Sequence, residues 1–298
     1  MSNEFRRVAI VGRVDDPRVA EPMATLAGHL AAKGVEVLAT LQAGLPPPVR
    51  GVPESALAEN ADLIVAIGGD GTMLYAANLG GERGVPLLGI NRGRLGFLAD
   101  VTPDEMLNCL DQVLGGDCVR ESRLMLTACI LASDGGRRTA NALNDVVLQR
   151  RETGRMVDLE TRIAERYVNT HSGDGLIIAT PTGSTAYALS CGGPIIEPAL
   201  NAVVVVPVCP HTLSDRPIVV PAEREIEVRL LAYSDSKAEV VVDGRSIGPL
   251  DPADRLVIRE ADRRITLIHP PGYDYFDLLR SKLHWGRDSR MRAGDGRQ

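Results

Sequence analysis

The chain has 298 residues, a formal net charge of −6 and 44% hydrophobic residues, enough for two domains or one large one with a substantial core. An acidic balance of this kind argues against a broad surface that grips nucleic acid through its phosphates. No apolar run, the longest being "AVVVVPV" at 202–208, approaches the roughly 18 residues needed to cross a bilayer.

"MSNEFRRVAIVG" puts charges first and then a short apolar run that reads as a strand rather than a signal peptide, so a cytoplasmic location is expected. The basic residues are nearly all arginine: only Lys33, Lys237 and Lys282 are available for any phosphate-gripping or Schiff-base role. Cys109, Cys118, Cys129, Cys191 and Cys209 form no C-x-x-C pair, so neither a disulfide framework nor a structural zinc site is expected. The histidines are scattered without metal-ligand spacing.

The first hundred residues alternate between two periodicities. "RVAIVG" (7–12) reads as a strand; Val19, Met23, Leu26, Ala27 and Leu30 recur at helical spacing until Gly34; "VEVLAT" (35–40) reads as a second strand. "AGLPPPVRGVP" reads as a loop, "DLIVAI" and "VPLLGIN" as buried strands, and "TMLYAANL" as the helix between them. This alternation predicts an open parallel α/β sheet covered on both faces. "TPDEMLNCLDQVLGG" (102–116) predicts a helix capped by Thr102, with Pro103 at its first position, Glu105 three residues after the cap and Gly115 as its stop.

From about 119 to 268 the segments are strand-like and separated by turn signals: "RLMLTACILA", "ALNDVVLQR", "MVDLETRIA", "GLIIAT", "AVVVVPV", "REIEVRLLA", "AEVVVDG", "DRLVIRE" and "RRITLIHP". Many short strands without helical crossovers predict a β-sandwich or layered β domain. The expected division is an α/β domain at 1–118, a β-rich domain at 119–268, a helix within 269–286 that packs back on the first domain, and a polar tail at 287–298.

Both the P-loop pattern and the usual dinucleotide fingerprint are missing. "DLIVAIGGDGTML" instead leaves a buried strand through Gly68, Gly69, Asp70 and Gly71, with a helix starting near Thr72. At the carboxyl end of a strand, glycines let a phosphate approach the backbone and the helix N-terminus faces it. Asp70 is an anion in an anion site, which fits phosphoryl transfer if it orients a hydroxyl nucleophile, positions magnesium, or both. The turn alone fits equally a glycine-rich bend in which Asp70 caps the helix.

A second stretch, "SGDGLIIATPTGSTAYALSCGGPI" (172–195), holds Asp174 between glycines and then Thr182, Gly183, Ser184, Thr185 and Tyr187. Hydroxyls this dense can hydrogen-bond a ribose or an amide while the ring stacks on a base. Arg92 and Arg94 read equally as phosphate contacts or as ordinary surface ion pairs. His211 reads as a turn residue, and Trp285 with the "YDYF" aromatics as packing anchors.

In this order and spacing, "GGDGTML", "GINRGRLGFL", "NALNDVVLQR", "DGLIIATPTGSTAYALSCGGPII" and "PVCPHTLSDRPIVV" resemble the bacterial NAD kinases across roughly residues 7–286. That resemblance implies transfer of the γ-phosphoryl of ATP to the 2′-hydroxyl of the adenosine ribose of NAD, with magnesium held mainly by substrate phosphates, in a homodimer or homotetramer. It implies that Asp70 accepts the hydroxyl proton, that Gly71 contacts the dinucleotide, and that Gly68, Gly69, Gly71 and Thr72 form the phosphate loop. Asn144 and Asp145 match residues that contact the ribose and adenine part. Asp174, Thr182 and the run Thr185, Ala186, Tyr187, Ala188, Leu189 and Ser190 match those that hold the nicotinamide and adenosine ends. Arg155 fits a position where relatives hold Arg or His, whereas Ser172 stands where many carry Lys or Arg, and Arg245 where many carry Gln or Asn. The glycine-aspartate turn is shared with lipid kinases of the same superfamily, so a lipid or other hydroxyl substrate is one alternative and a non-catalytic dinucleotide sensor another. No exposed amphipathic or polybasic segment for membrane docking is visible.

Overall fold

The computed structural model describes residues 4–81, 83–93, 96–151, 156–232 and 237–285. The chain forms two compact units, residues 1–121 with 266–298 and residues 122–265. The elements of the first unit run β1 (Arg7–Gly12), α1 (Pro17–Ala32), β2 (Glu36–Thr40), β3 (Arg50–Val52), α2 (Glu54–Asn60), β4 (Leu63–Gly68), α3 (Asp70–Gly80), β5 (Leu87–Asn91), α4 (Met106–Leu114) and β6 (Val119–Arg123). Local chemistry sets several of these boundaries. Asp16 caps α1 by accepting the Arg18 N–H, Pro17 opens it, and Gly34 follows its end at φ 74°.

The second unit contributes β7 (Leu126–Leu131), β8 (Arg137–Ala142), β9 (Asp145–Arg150), β10 (Val157–Ile163), β11 (Arg166–Gly173) and β12 (Gly175–Ala179). The short helix α5 (Tyr187–Ser190) follows, and then β13 (Ala202–Val208), β14 (Ile218–Pro221), β15 (Ile226–Leu230), β16 (Ala238–Val242), β17 (Arg245–Leu250) and β18 (Arg255–Glu260). The chain then returns to the first unit with β19 (Ile265–His269) and α6 (Tyr275–Leu283).

The first unit holds a seven-stranded sheet in the order β3-β2-β1-β4-β5-β19-β6, parallel from β3 to β19. Val8, Ile10, Val65 and Ile67 bury one face against α1 and α4, while Gly80 of α3 lies against Ile64 on the other. The strand order reverses between β1 and β4, the place where open α/β sheets take ligands. The second unit is a sandwich of two six-stranded antiparallel sheets, β11-β10-β15-β18-β7-β8 and β14-β13-β12-β9-β16-β17. Its core is drawn from alternating residues of both sheets, among them Leu126, Leu159, Val228, Leu148, Leu176 and Val240.

The α/β and β-rich architectures agree with the sequence pattern, but several elements differ from it. The stretch expected to be a loop contains β3, an edge strand of three residues, and α2 follows it unread. The helix expected from Thr102 begins at Met106: residues 103–105 form turns closed by Glu105 N–H to the Thr102 carbonyl at 3.1 Å and Met106 N–H to the Pro103 carbonyl at 3.4 Å, and the Thr102 hydroxyl donates to the Glu105 carboxylate at 2.6 Å. Strand β19, grouped by its sequence with the β-rich run, pairs in parallel with β5 through Leu267↔Leu87 and Ile268↔Leu88. Strands β6, β8, β11, β14 and β17 lie outside the segments that the sequence pattern marks as strands, apart from single end residues.

Leu176 is wholly buried in the sandwich core. Leu176→Ala is expected to cost about 2–5 kcal/mol of stability through lost burial and a residual cavity, read as a lower urea midpoint with an unchanged slope.

Candidate active site

In the first unit the carboxyl ends of β1 and β4 open into a cleft of about 480 Å³, lined by Gly12, Arg13, Gly68, Gly69, Gly71, Thr72, Tyr75 and Arg92. The expected phosphate loop is therefore one wall of a real concavity. Gly68 has no room for a side chain, since a Cβ would overlap the Thr72 side chain. The first turn of α3 adds amide donors and the positive end of a helix dipole to this wall. Arg13 and Arg92 are not bare cations: Arg13 pairs with Asp15 at 2.9 Å and Arg92 with Asp16 at 3.0 Å. Arg94 and Arg155 lie outside the described residues.

Asp70 does not cap its helix. Gly69 occupies that position, and the Asp70 carboxylate accepts the backbone N–H groups of Phe97 and Leu98, both at 3.0 Å. This overturns the capping alternative and brings in Gly96, to which the sequence pattern gives no role. Gly96 must lack a Cβ, because one would overlap the Asp70 carboxylate. Its only sequence trace is its place between Leu95 and Phe97, four residues after Arg92.

The second unit gathers its expected residues into two clusters. In the first, Asp243 stands in the β16–β17 turn at φ 47° and accepts the N–H groups of Leu143, Asn144 and Asp145 at 2.8, 2.9 and 3.1 Å. The Asn144 carbonyl accepts the Thr180 N–H at 2.9 Å and lies so near Gly183 that a Cβ there would overlap it. Asp145 is buried, and its carboxyl is pushed up to about 7 by that burial first and by the charge of Asp243 second. Burial also raises Asp243, although its three backbone donors and Arg245 pull the other way. Arg245 opens β17 on the exposed side of this cluster. Asp243 was missed in the sequence as a holder of Asn144 and Asp145; the D-G hairpin signal marks only the turn.

The dense hydroxyls are engaged within the protein. Ser184 donates to the Pro181 carbonyl at 2.6 Å and accepts the Ile196 N–H at 2.9 Å. Thr182, buried, accepts from the Arg123 guanidinium at 3.3 Å, and Thr185 donates to the Thr182 carbonyl at 3.1 Å. Along the following run Ala188 is wholly buried, Ala186 and Leu189 are half-buried, and Tyr187 and Ser190 are exposed.

In the second cluster Asp174 sits between β11 and β12, paired with Arg150 Nε at 2.9 Å. Its flanking glycines answer to sheet crowding: a Cβ at Gly173 would meet the Val208 carbonyl at 2.8 Å, and one at Gly175 would overlap that of Leu148. Burial, then Cys191, raises the Tyr187 phenol, with smaller pushes from Cys209 and Asp174. Ser172 on β11 donates its hydroxyl to Asp158, which occupies it within the sheet. His211 lies exposed in a turn, as expected.

Residues 19–118 match the ATP-NAD kinase N-terminal domain and residues 143–270 the ATP-NAD kinase C-terminal domain. This chain belongs to the ATP-NAD kinase family. Among its curated family relatives it is similar to the NAD kinase of Thiobacillus denitrificans, 45% identical over 294 residues that span 96% of this chain and 99% of the relative. It is 42% identical to that of Methylococcus capsulatus over 287 residues, again 96% and 99% of the two chains. Among solved family structures it resembles yeast NADH kinase complexed with NADH (TM-score 0.89, 25% identity, 95% of this chain and 88% of that one). It also resembles an NAD kinase from Archaeoglobus fulgidus in complex with ATP (TM-score 0.71, 29% identity, 93% and 97%). Matches to this family in both halves do not favour a lipid-kinase or sensor reading. No described helix is long and apolar enough to cross a membrane.

Two outcomes are expected. Gly96→Ala, which places a methyl group against the Asp70 carboxylate, should lower turnover by about 10² or more while the melting temperature moves by only a few degrees, as scanning calorimetry would read. The second concerns Asp145, whose carboxyl stays protonated in the folded chain up to about 7, whereas unfolded aspartate loses its proton near pH 4. Stability from this group is therefore full below about pH 4 and is lost as pH rises towards 7. Asp145→Asn should flatten that portion of the urea-midpoint profile.

Proposed function

We propose that Asp70 takes the proton of the 2′-hydroxyl of the adenosine ribose of NAD as that oxygen attacks the γ-phosphorus of ATP. The oxygen–phosphorus bond forms, the bridge to the β-phosphate breaks, and the products are NADP and ADP. The observation that carries this reading is the fixed aim of the Asp70 carboxylate on the Phe97 and Leu98 amides, beside the cleft that Gly69 and Gly71 line. A proton acceptor held in one orientation contributes typically about 10²–10⁴ in rate.

The phosphates belong to Gly68, Gly69, Gly71 and Thr72 on this reading, and Gly71 also meets the dinucleotide. Asn144 and Asp145 take the ribose and adenine part. The buried Asp145 carboxyl supports this role, because a ligand hydroxyl or amine would give a hydrogen bond to a group that its burial desolvates. Asp174, Thr182 and the run from Thr185 to Ser190 take the nicotinamide and adenosine ends, with Tyr187 the exposed ring of that run. Ser172 stands where many relatives carry Lys or Arg, so one phosphate contact is lost or supplied by another arginine; Arg245 stands where many carry Gln or Asn, and Arg155 fits a position where relatives hold Arg or His.

On this reading magnesium would arrive on the phosphates of ATP and be held mainly by them. The enzyme works in the cytoplasm as a homodimer or homotetramer.

Asp70→Asn tests the central assignment. NADP formation is expected to fall by about 10²–10⁴ while NAD binding, followed by calorimetry, stays within a few-fold. Wild-type turnover in that variant would remove Asp70 as the proton acceptor.

A further inference from the structure

His269, at the end of β19, belongs to no motif singled out in the sequence. It is 1% exposed, hydrogen-bonded through Nδ1 to the carboxylate of Asp100, with the carboxylate of Glu121 near Nε2 at ion-pair distance but without hydrogen-bond geometry. Nδ1 lies 2.7 Å from Asp100 Oδ2 and Nε2 lies 3.2 Å from Glu121 Oε2 on β6, while the Tyr273 ring stacks on it at 3.7 Å with an 8° interplanar angle. The other oxygen of Asp100 is buried without a hydrogen-bond partner among the described residues. Cys109 on α4 also faces Asp100; burial first and the Asp100 charge second push its thiol up to about 12, so it stays neutral. Asp100 thus depends on the imidazole for its counter-charge.

Asp100 ends the segment between Asn91 and Val101. Asn91 closes that segment by donating to the Val101 carbonyl at 3.0 Å and accepting the Gly93 N–H at 2.7 Å, and Gly96 donates to Ala99 at 3.0 Å. Two and three residues before Asp100 are Leu98 and Phe97, whose amides hold Asp70. The strand-helix unit that carries His269 touches the same segment again, with Lys282 Nζ on α6 5.8 Å from the Phe97 ring centre.

We propose that His269 is a positioning residue for the reaction: its contact with Asp100 fixes the end of the 92–100 segment and so aims the Phe97 and Leu98 amides at Asp70. The proposal rests on the reading of Asp70 as proton acceptor. Burial lowers the proton affinity of His269, and the carboxylates of Asp100 and Glu121 more than offset this, leaving it raised. The imidazolium is therefore complete below the ordinary histidine range and is lost as pH rises through the raised value. A neutral ring leaves Asp100 as a buried carboxylate without its counter-charge, a costly state that the segment relieves by moving.

The test combines ¹H–¹⁵N spectra of the nucleotide-free, full-length protein with NADP-formation kinetics across pH, for wild type, His269→Gln and Asp100→Asn. In both variants the Phe97 and Leu98 amide signals are expected to move, and kcat to fall about 10- to 100-fold with KM for NAD and ATP within twofold. In wild type the same two signals should titrate with the His269 ring, and His269→Gln should abolish that titration. Unmoved Phe97 and Leu98 signals through the wild-type titration would overturn the proposal, a readout that stands even if a variant fails to fold. Unchanged kcat in folded His269→Gln would overturn it too. Because the spectra are recorded without nucleotide, they do not depend on the role of Asp70; turnover retained by Asp70→Asn would sink that role separately and leave the amide shifts standing.

Discussion

Two backbone amides on one carboxylate organise the site in the first unit. For Phe97 and Leu98 to reach Asp70, the segment after β5 must fold back over the start of α3, and every tight place along it is occupied by a residue that permits this. Gly96 leaves room for the carboxylate, and Gly89 leaves room for the returning chain, whose Leu98 carbonyl would stand 2.6 Å from a Cβ there. Asn91, 1% exposed, ties both ends of the segment with its side-chain amide. A carboxylate held in this way has one orientation relative to the glycine wall, which a flexible aspartate in a turn would not have.

The second unit solves a related problem with the opposite polarity. There a carboxylate, Asp243, gathers three successive backbone amides and so shapes the Leu143–Asp145 corner. The corner in turn accepts the Thr180 amide and crowds Gly183. In one unit the backbone positions a carboxylate; in the other a carboxylate positions the backbone. The second arrangement burdens Asp145, buried beside a like charge, and that burden makes a ligand donor welcome.

Much of this was legible in the sequence, because local patterns report local structure. "RVAIVG" and "DLIVAI" became β1 and β4 within a residue or two, since an unbroken apolar run before glycine has few other solutions. What stayed hidden depends on partners far along the chain. Asp100 and His269 meet across 169 residues, and Leu143 and Asp243 across 100; no spacing rule reaches that far. Strand β3 was hidden because three residues beside prolines carry no period. The hydroxyls of "PTGSTAY" looked ligand-directed because composition cannot show that Ser184 is already satisfied by Pro181 and Ile196.

The return of β19 to the first sheet has a consequence for how the chain matures. Synthesis proceeds from the N-terminus, so β1 to β5 leave the ribosome with one edge of their sheet still open, and the strand that covers it follows only after the whole sandwich has been made. Until then β5 presents unpaired backbone groups to any extended segment nearby. The nascent α/β unit is thus held unfinished by its own topology, and the cap that seals its edge is the same strand that carries His269.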